Sequence, residues 1–379
     1  MESIRPLLAT PTFVLALVLL LALAFALAFA LAFALAFAMH TPAGHQLPRP
    51  PSLNSPPITM LPTEIIQHIA SFLPPSGAAS FASTCLCIRL AAGTQYLSAL
   101  RASRTEILAL LELLLADAPH DPIVNFPSRL LCADCARLIP IYIGCGASAT
   151  SVCRKTWDLS TRYIMSSFSP PIFYTIMAMQ RHEHQCDELL SRIAPPTTTR
   201  YTSSSGIASQ HTVHYRIATA GSLLIRIQVT YILQHPPLDD REHTLGSFCH
   251  HIGAKTERFS TTMKLVQTEA LSGTGRSQPK FIDCNYCRTT VLVGARKLRG
   301  RGIGLFITWW KDLGDGRPAD ETWTDQIGLS TRPEKWQHVR YGTIPVVEAF
   351  EGQNARYLDF DEVMMRADWK ELLRLSPIQ

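Results

Sequence analysis

Residues 213–233 read VHYRIATAGSLLIRIQVTYIL. Val213, Tyr215 and Ile217 alternate with polar neighbours, Ala220-Gly221-Ser222 turns the chain, and Leu223, Ile225, Ile227, Val229, Tyr231 and Leu233 alternate back. Two period-two runs around a glycine-bearing turn are the pattern of a β-hairpin with one buried face. A second hairpin is signalled by residues 289–298, the turn Arg299-Gly300-Arg301-Gly302, and residues 303–310. Upstream the period lengthens to 3.6. Helices are predicted over 63–72, 76–92 and 105–116, the last so rich in Leu, Ile and Ala that it reads as buried. A further helix is expected over 173–193, with Ile176 and Met179 facing inward. Residues 195–210 read as a Pro/Thr/Ser loop, and 359–375 as a short amphipathic closing helix. Helices first and mixed elements afterwards define an α+β fold class.

The chain has 379 residues, 47% hydrophobic and 17% charged, with a formal net charge of +5. Its length suits roughly two globular units. The apolar content is concentrated at 13–39, an unbroken hydrophobic run in which Phe25, Phe29, Phe33 and Phe37 recur every fourth residue. As a helix, that run would rise about 40 Å against a hydrocarbon core of about 30 Å, so a tilted membrane-type helix is expected. Three readings stay open: a membrane anchor, a signal peptide cleaved near Ala36-Phe37-Ala38, and an incidental extension from tandem duplication of a short unit. The rest of the chain has ordinary soluble composition, which excludes a polytopic membrane protein, a collagen, a coiled coil and a globally disordered chain. The excess of basic residues is diffuse and gives no case for a nucleic-acid partner. The organisation expected is an apolar segment at 1–40, a Pro-rich linker at 41–59, a helical module at 60–118, a Cys-rich α+β domain at 119–350, and a tail at 351–379.

Residues 61–93 read LPTEIIQHIASFLPPSGAASFASTCLCIRLAAG. Pro62 suits a helix's first turn, and Glu64 complements the positive helix end. Ile65, Ile69 and Phe72 share one apolar face, and Pro74-Pro75 stops the helix. Physically this is a compact helical hairpin with an apolar surface. The order Leu-Pro-x-Glu-Ile, Ile, Leu-Pro-Pro, Thr-Cys resembles an F-box as found in many fungal proteins. The resemblance implies docking onto the Skp adaptor subunit of a cullin-RING ubiquitin ligase, with Leu61, Pro62, Ile65, Ile69, Leu73 and Cys85 on or beneath the interface. The chain departs from the pattern at Leu86 and Cys87, where basic residues are common. The likeness extends over most of 58–330 to a fungal, Cys-rich group of F-box proteins. Cys132, Cys135, Cys153, Arg181-His182, Cys249, Cys284 and Cys287 fall in matching order, as does Phe-Ile-Thr-Trp-Trp-Lys-Asp-Leu-Gly at 306–314. It implies a non-enzymatic receptor presenting an unidentified target protein. The alternative is a membrane-tethered or secreted structural or binding protein whose F-box likeness is vestigial. The expected location is the cytosolic face of a membrane, reached through residues 13–39, or the cytoplasm or nucleus if that segment is incidental.

Ten cysteines carry the chemistry. A Cys-x2-Cys pair on one tight turn already spans half a tetrahedron, which is why zinc favours that spacing. Cys284-x2-Cys287 runs directly into the strand at 289, with Cys249 and His251 upstream as its other ligands. Cys132-x2-Cys135 has Cys145 and Cys153 downstream, with His182 or His184 as an alternative fourth donor. Both are read as structural zinc sites with four protein ligands; buried free thiols and, in a secretory setting, disulfides are the competing readings. No Gly-x-Ser-x-Gly, His-Glu-x-x-His or Walker pattern occurs, so nothing in the sequence argues for an enzyme.

Overall fold

The computed structural model describes residues 57–352 apart from 119, 122–125, 142–149, 166–167, 194–198, 203–206, 234–246, 254–255, 318–319 and 330–344, together with 372 and 374. The chain forms two units, Met1–Pro62 and Thr63–Gln379. Within the first, Pro57–Met60 is a 3-10 turn closed by Leu61 N–H donating to the Ile58 carbonyl at 3.3 Å. The expected fold class is corrected in one respect. No helix among the described residues is long and apolar enough to cross a membrane, and the run at 13–39 lies outside them, so the membrane-type helix drops out of the fold class and the described residues form an α+β architecture. The linker up to residue 56 and nearly all of the predicted 359–375 helix also lie outside the described residues.

The second unit opens with five helices: α1 Thr63–Phe72, α2 Pro75–Ser83, α3 Leu86–Ala92, α4 Gln95–Ala102 and α5 Arg104–Ala116. The single helix expected over 76–92 is two. The break falls at Cys85, whose backbone is extended and whose Sγ accepts from the Ile88 N–H at 3.4 Å, capping α3. Helix α1 buries Ile66 and Ala70. Helix α5 buries only Leu108 and Leu115 and leaves Leu114 exposed, because its leucines encircle the axis and just one stripe meets the core.

Next come two short antiparallel pairs, β1 His120–Asp121 with β2 Phe126–Pro127, and β3 Arg129–Cys132 with β4 Arg137–Pro140. Helices α6 Ser151–Tyr163, α7 Pro170–Arg181 and α8 Asp187–Ile193 follow. The helix predicted over 173–193 is thus divided: it ends at Arg181, and Glu183 takes the left-handed backbone at φ 59° before α8 begins. Residues 173–179 of α7 are all buried, at the centre of the larger apolar cluster. Arg181 at its end grips Glu112 of α5 with two hydrogen bonds, at 2.6 and 3.2 Å.

Both predicted hairpins are present. Strands β5 Thr199–Thr202, β6 Ala208–Ile217, β7 Leu223–Leu233, β8 Lys280–Asp283, β9 Thr289–Leu298 and β10 Gly302–Asp312 form one antiparallel sheet in the order β5-β6-β7-β10-β9-β8. Part of the loop expected over 195–210 is therefore strand. The hairpins join through β7 and β10, where Ile227 lies opposite Trp309 and Trp309 opposite Val291. The odd-numbered side of the central strands packs against α7 at one end and against α9, Glu257–Ser272, at the other. On the opposite side, Leu224, Leu292 and Trp310 meet Val346, Val347 and Phe350 of α11, Val346–Glu351, which follows α10, Glu321–Gln326. Burying both sides explains the long apolar runs in β9 and β10, where strict alternation fails.

Candidate functional site

The knuckle between β8 and β9 carries Cys284 and Cys287. It is a tight reversal: Cys284 N–H donates to the Thr289 carbonyl at 2.9 Å, and Thr289 N–H to the Cys287 carbonyl at 2.8 Å. A second reversal, closed by a bridge between Ser247 and Gly253, presents Cys249 and His251 to it. The Sγ atoms of the three cysteines and a ring nitrogen of His251 all lie within 4.8 Å of one another. Cys249 and Cys287 are buried; His251 and Cys284 are half-buried.

Three features fit this cluster to a metal ion. A tetrahedron with metal–sulfur bonds of about 2.3 Å has an edge of about 3.8 Å, and Cys249 Sγ stands 3.8 Å from Cys284 Sγ. That separation is far beyond a disulfide bond. Backbone N–H groups also aim at the sulfurs: Ile252 donates to Cys249 Sγ at 3.1 Å and Tyr286 to Cys284 Sγ at 3.4 Å. Such bonds favour the thiolate, the form that binds metal. Finally, hydrogen bonds from Cys284 and then Cys287 drive the Cys249 thiol far below its ordinary value. The bond it makes with Cys249 pushes Cys284 up to about 11, and Cys287 is held well above the ordinary thiol for the same reason. The opposed directions mark three thiols close enough to compete for one negative charge, and a bound metal ion takes the place of their protons. These four residues could hold a metal ion.

A second cluster gathers Cys132 at the end of β3, Cys135 in the β3–β4 turn and Cys153 in the first turn of α6. Cys132 and Cys153 are buried with sulfurs 3.7 Å apart, and Cys135 is half-buried, 3.9 Å from Thr150 Oγ1. Thr150 caps α6, accepting from the Cys153 N–H at 3.1 Å. Burial raises the Cys135 thiol, but hydrogen bonds from the Thr150 backbone and from Cys132 and Cys153 outweigh it and bring the thiol below its usual value. These three also could hold a metal ion. Cys145, expected as the fourth donor, lies outside the described residues, and neither His182 nor His184 belongs to the cluster. No disulfide joins any described cysteine.

The residues carried over from the F-box resemblance are distributed differently. In their own unit, Leu61 is 38% exposed and Pro62 is exposed. On α1, Ile65 is 45% exposed and Ile69 half-buried, and Leu73 just beyond it is 37% exposed. Cys85 is half-buried and occupied in capping α3. The most exposed apolar side chains of these helices are others: Phe72 of α1 and Leu86 and Leu90 of α3, each at least 70% exposed. Their signal was present in the sequence. Leu86 and Leu90 are spaced i, i+4 opposite the buried Ile88 and Ala92. Helices α1 and α3 pack on each other, and Gln67 Nε2 donates to the Ala91 carbonyl at 3.0 Å.

No family model, curated protein or solved structure matches this chain.

Proposed function

We propose that the chain is a non-catalytic adaptor of the F-box type. Its helical module docks on a Skp-type subunit of a cullin-RING ubiquitin ligase, and its Cys-rich sheet domain presents a target protein. One observation carries the reading: Ile65, Phe72, Leu86 and Leu90 lie exposed on two helices that pack together and bury their opposite faces, and Leu73 lies exposed just beyond the first. A helix pair already supplied with a core has no folding use for five large apolar groups in water, and such groups mark a surface meant for a partner. The test is affinity purification of the full chain with and without Ile65→Asp. Skp and cullin subunits should co-purify with the unmodified chain and be lost with the variant. Their absence from both would remove the adaptor reading.

The metal we assign to the Cys249, His251, Cys284 and Cys287 centre is zinc in a structural role. Three thiolates and one imidazole are a soft-to-borderline set that disfavours calcium and magnesium, and four protein donors leave no open position. Held there, the ion would clamp the 247–253 reversal to the β8–β9 knuckle.

A further inference from the structure

Lys311 is fully buried, on the odd-numbered side of β10 between Ile225 of β7 and Thr289 of β9. Its ammonium donates to the carbonyl of Tyr163, the last residue of α6. Among the described residues no carboxylate pairs with it; its chain neighbour Asp312 pairs instead with Arg288 at 2.8 Å. An unpaired ammonium in a protein interior costs several kcal/mol, and one carbonyl does not offset that. The lateral neighbour Thr289 shows what does. Its hydroxyl sits 3.3 Å from Cys287 Sγ, so Lys311 lies beside the four-donor cluster.

We propose that Lys311 is the counter-cation of the Cys249, His251, Cys284 and Cys287 centre, and that its single charge commits that centre to a divalent ion. The proposal rests on the zinc reading and adds a residue to it. A divalent ion held by three thiolates and a neutral imidazole carries one net negative charge, which one ammonium cancels. A monovalent ion in the same shell would leave one negative charge uncancelled, and a trivalent ion would leave the lysine uncompensated. Burial works against the charged form of Lys311 and lowers it on balance, and the groups that act in the opposite direction are Cys249, Cys287 and Cys284, all members of the cluster. The Tyr163 carbonyl lies at the negative end of α6 and holds the ammonium in place.

The test compares the full chain with Lys311→Met and Lys311→Gln. Met removes the charge at similar length; Gln removes it but keeps a donor for the Tyr163 carbonyl. Each is loaded with zinc or cobalt(II), titrated against a chelator, and read by the cobalt–thiolate absorption and by circular dichroism of the metal-free form. Both variants should hold metal about 10–100-fold more weakly than the unmodified chain, with unchanged metal-free secondary structure, the range typical of groups that support metal ligands. Metal held equally well by all three would overturn the proposal and leave the zinc reading standing. So would weakening by Met but not Gln, since the hydrogen bond would then be what matters, or loss of folding by both variants with and without metal. An unmodified chain that takes up no metal would remove the zinc reading and the proposal together.

Discussion

Replacing Phe72 and Leu90 together with Ala separates a docking surface from a misplaced core. Each side chain is 75% exposed in the chain alone. Full burial of a residue of this size is worth about 1.5–3 kcal/mol, so covering three-quarters of each contributes about 2–4.5 kcal/mol over the pair. F72A/L90A should therefore weaken binding to a purified Skp-type subunit by about 30- to 2,000-fold, measured by titration calorimetry. The thermal midpoint should hardly move, because exposed substitutions usually fall within about 0.5 kcal/mol. The internal control is Ile66→Ala on the same helix. Ile66 is 3% exposed, and its truncation should cost about 2–5 kcal/mol of stability. Unchanged affinity for F72A/L90A, or a stability loss matching that of Ile66→Ala, would refute the reasoning.

Stripping the metal should lower stability by about 3 kcal/mol relative to protein held at about 100 times the dissociation constant, read as a fall in melting midpoint with chelator; an unchanged melt would count against a structural ion. Burial holds the His211 imidazole below its ordinary value, so the unfolded chain takes up that proton first on acidification. The stability His211 contributes is complete above about pH 6.5 and is lost as pH falls through its folded value. His211→Gln should flatten the dependence in urea unfolding between about pH 7 and about pH 5. Trp323 is buried among Phe168, Phe173 and Tyr174, and its Nε1 donates to the Tyr174 hydroxyl at 3.0 Å. Trp323→Ala should cost about 3–5 kcal/mol in denaturant unfolding, which Trp323→Phe should largely spare.

What was legible in the sequence follows from the range of the forces involved. Residues 213–233 and 289–310 announce their hairpins because alternation and turn glycines act over a few positions; Gly221 does take the left-handed backbone its turn requires. The Cys284-x2-Cys287 knuckle was legible for the same reason. Its pairing with Cys249 and His251 was an inference from residue type, and the fold brings the four together. Illegible were features decided by distant contacts. Strand β8 is only four residues long and exists because β9 offers it an edge. The break at Cys85 depends on a thiol choosing to cap a helix over continuing one. Lys311 reads in sequence as one polar residue after Trp309-Trp310, and only the register of β10 with β9 places it beside the thiols.

Helix α6 ties the two donor clusters into one electrostatic arrangement. Its first turn holds Cys153 of the three-thiol cluster, and its last carbonyl, at Tyr163, receives Lys311 from beside the four-donor cluster. A helix carries partial positive charge at its start and partial negative charge at its end. Cys153 therefore sits where the helix favours an anion, and the Lys311 ammonium where it favours a cation. The Tyr163 ring continues the link, its hydroxyl 3.1 Å from His250 Nδ1, next to the ligand candidate His251. Cys153 and Tyr163 stand ten residues apart, a rise of about 15 Å along the helix axis.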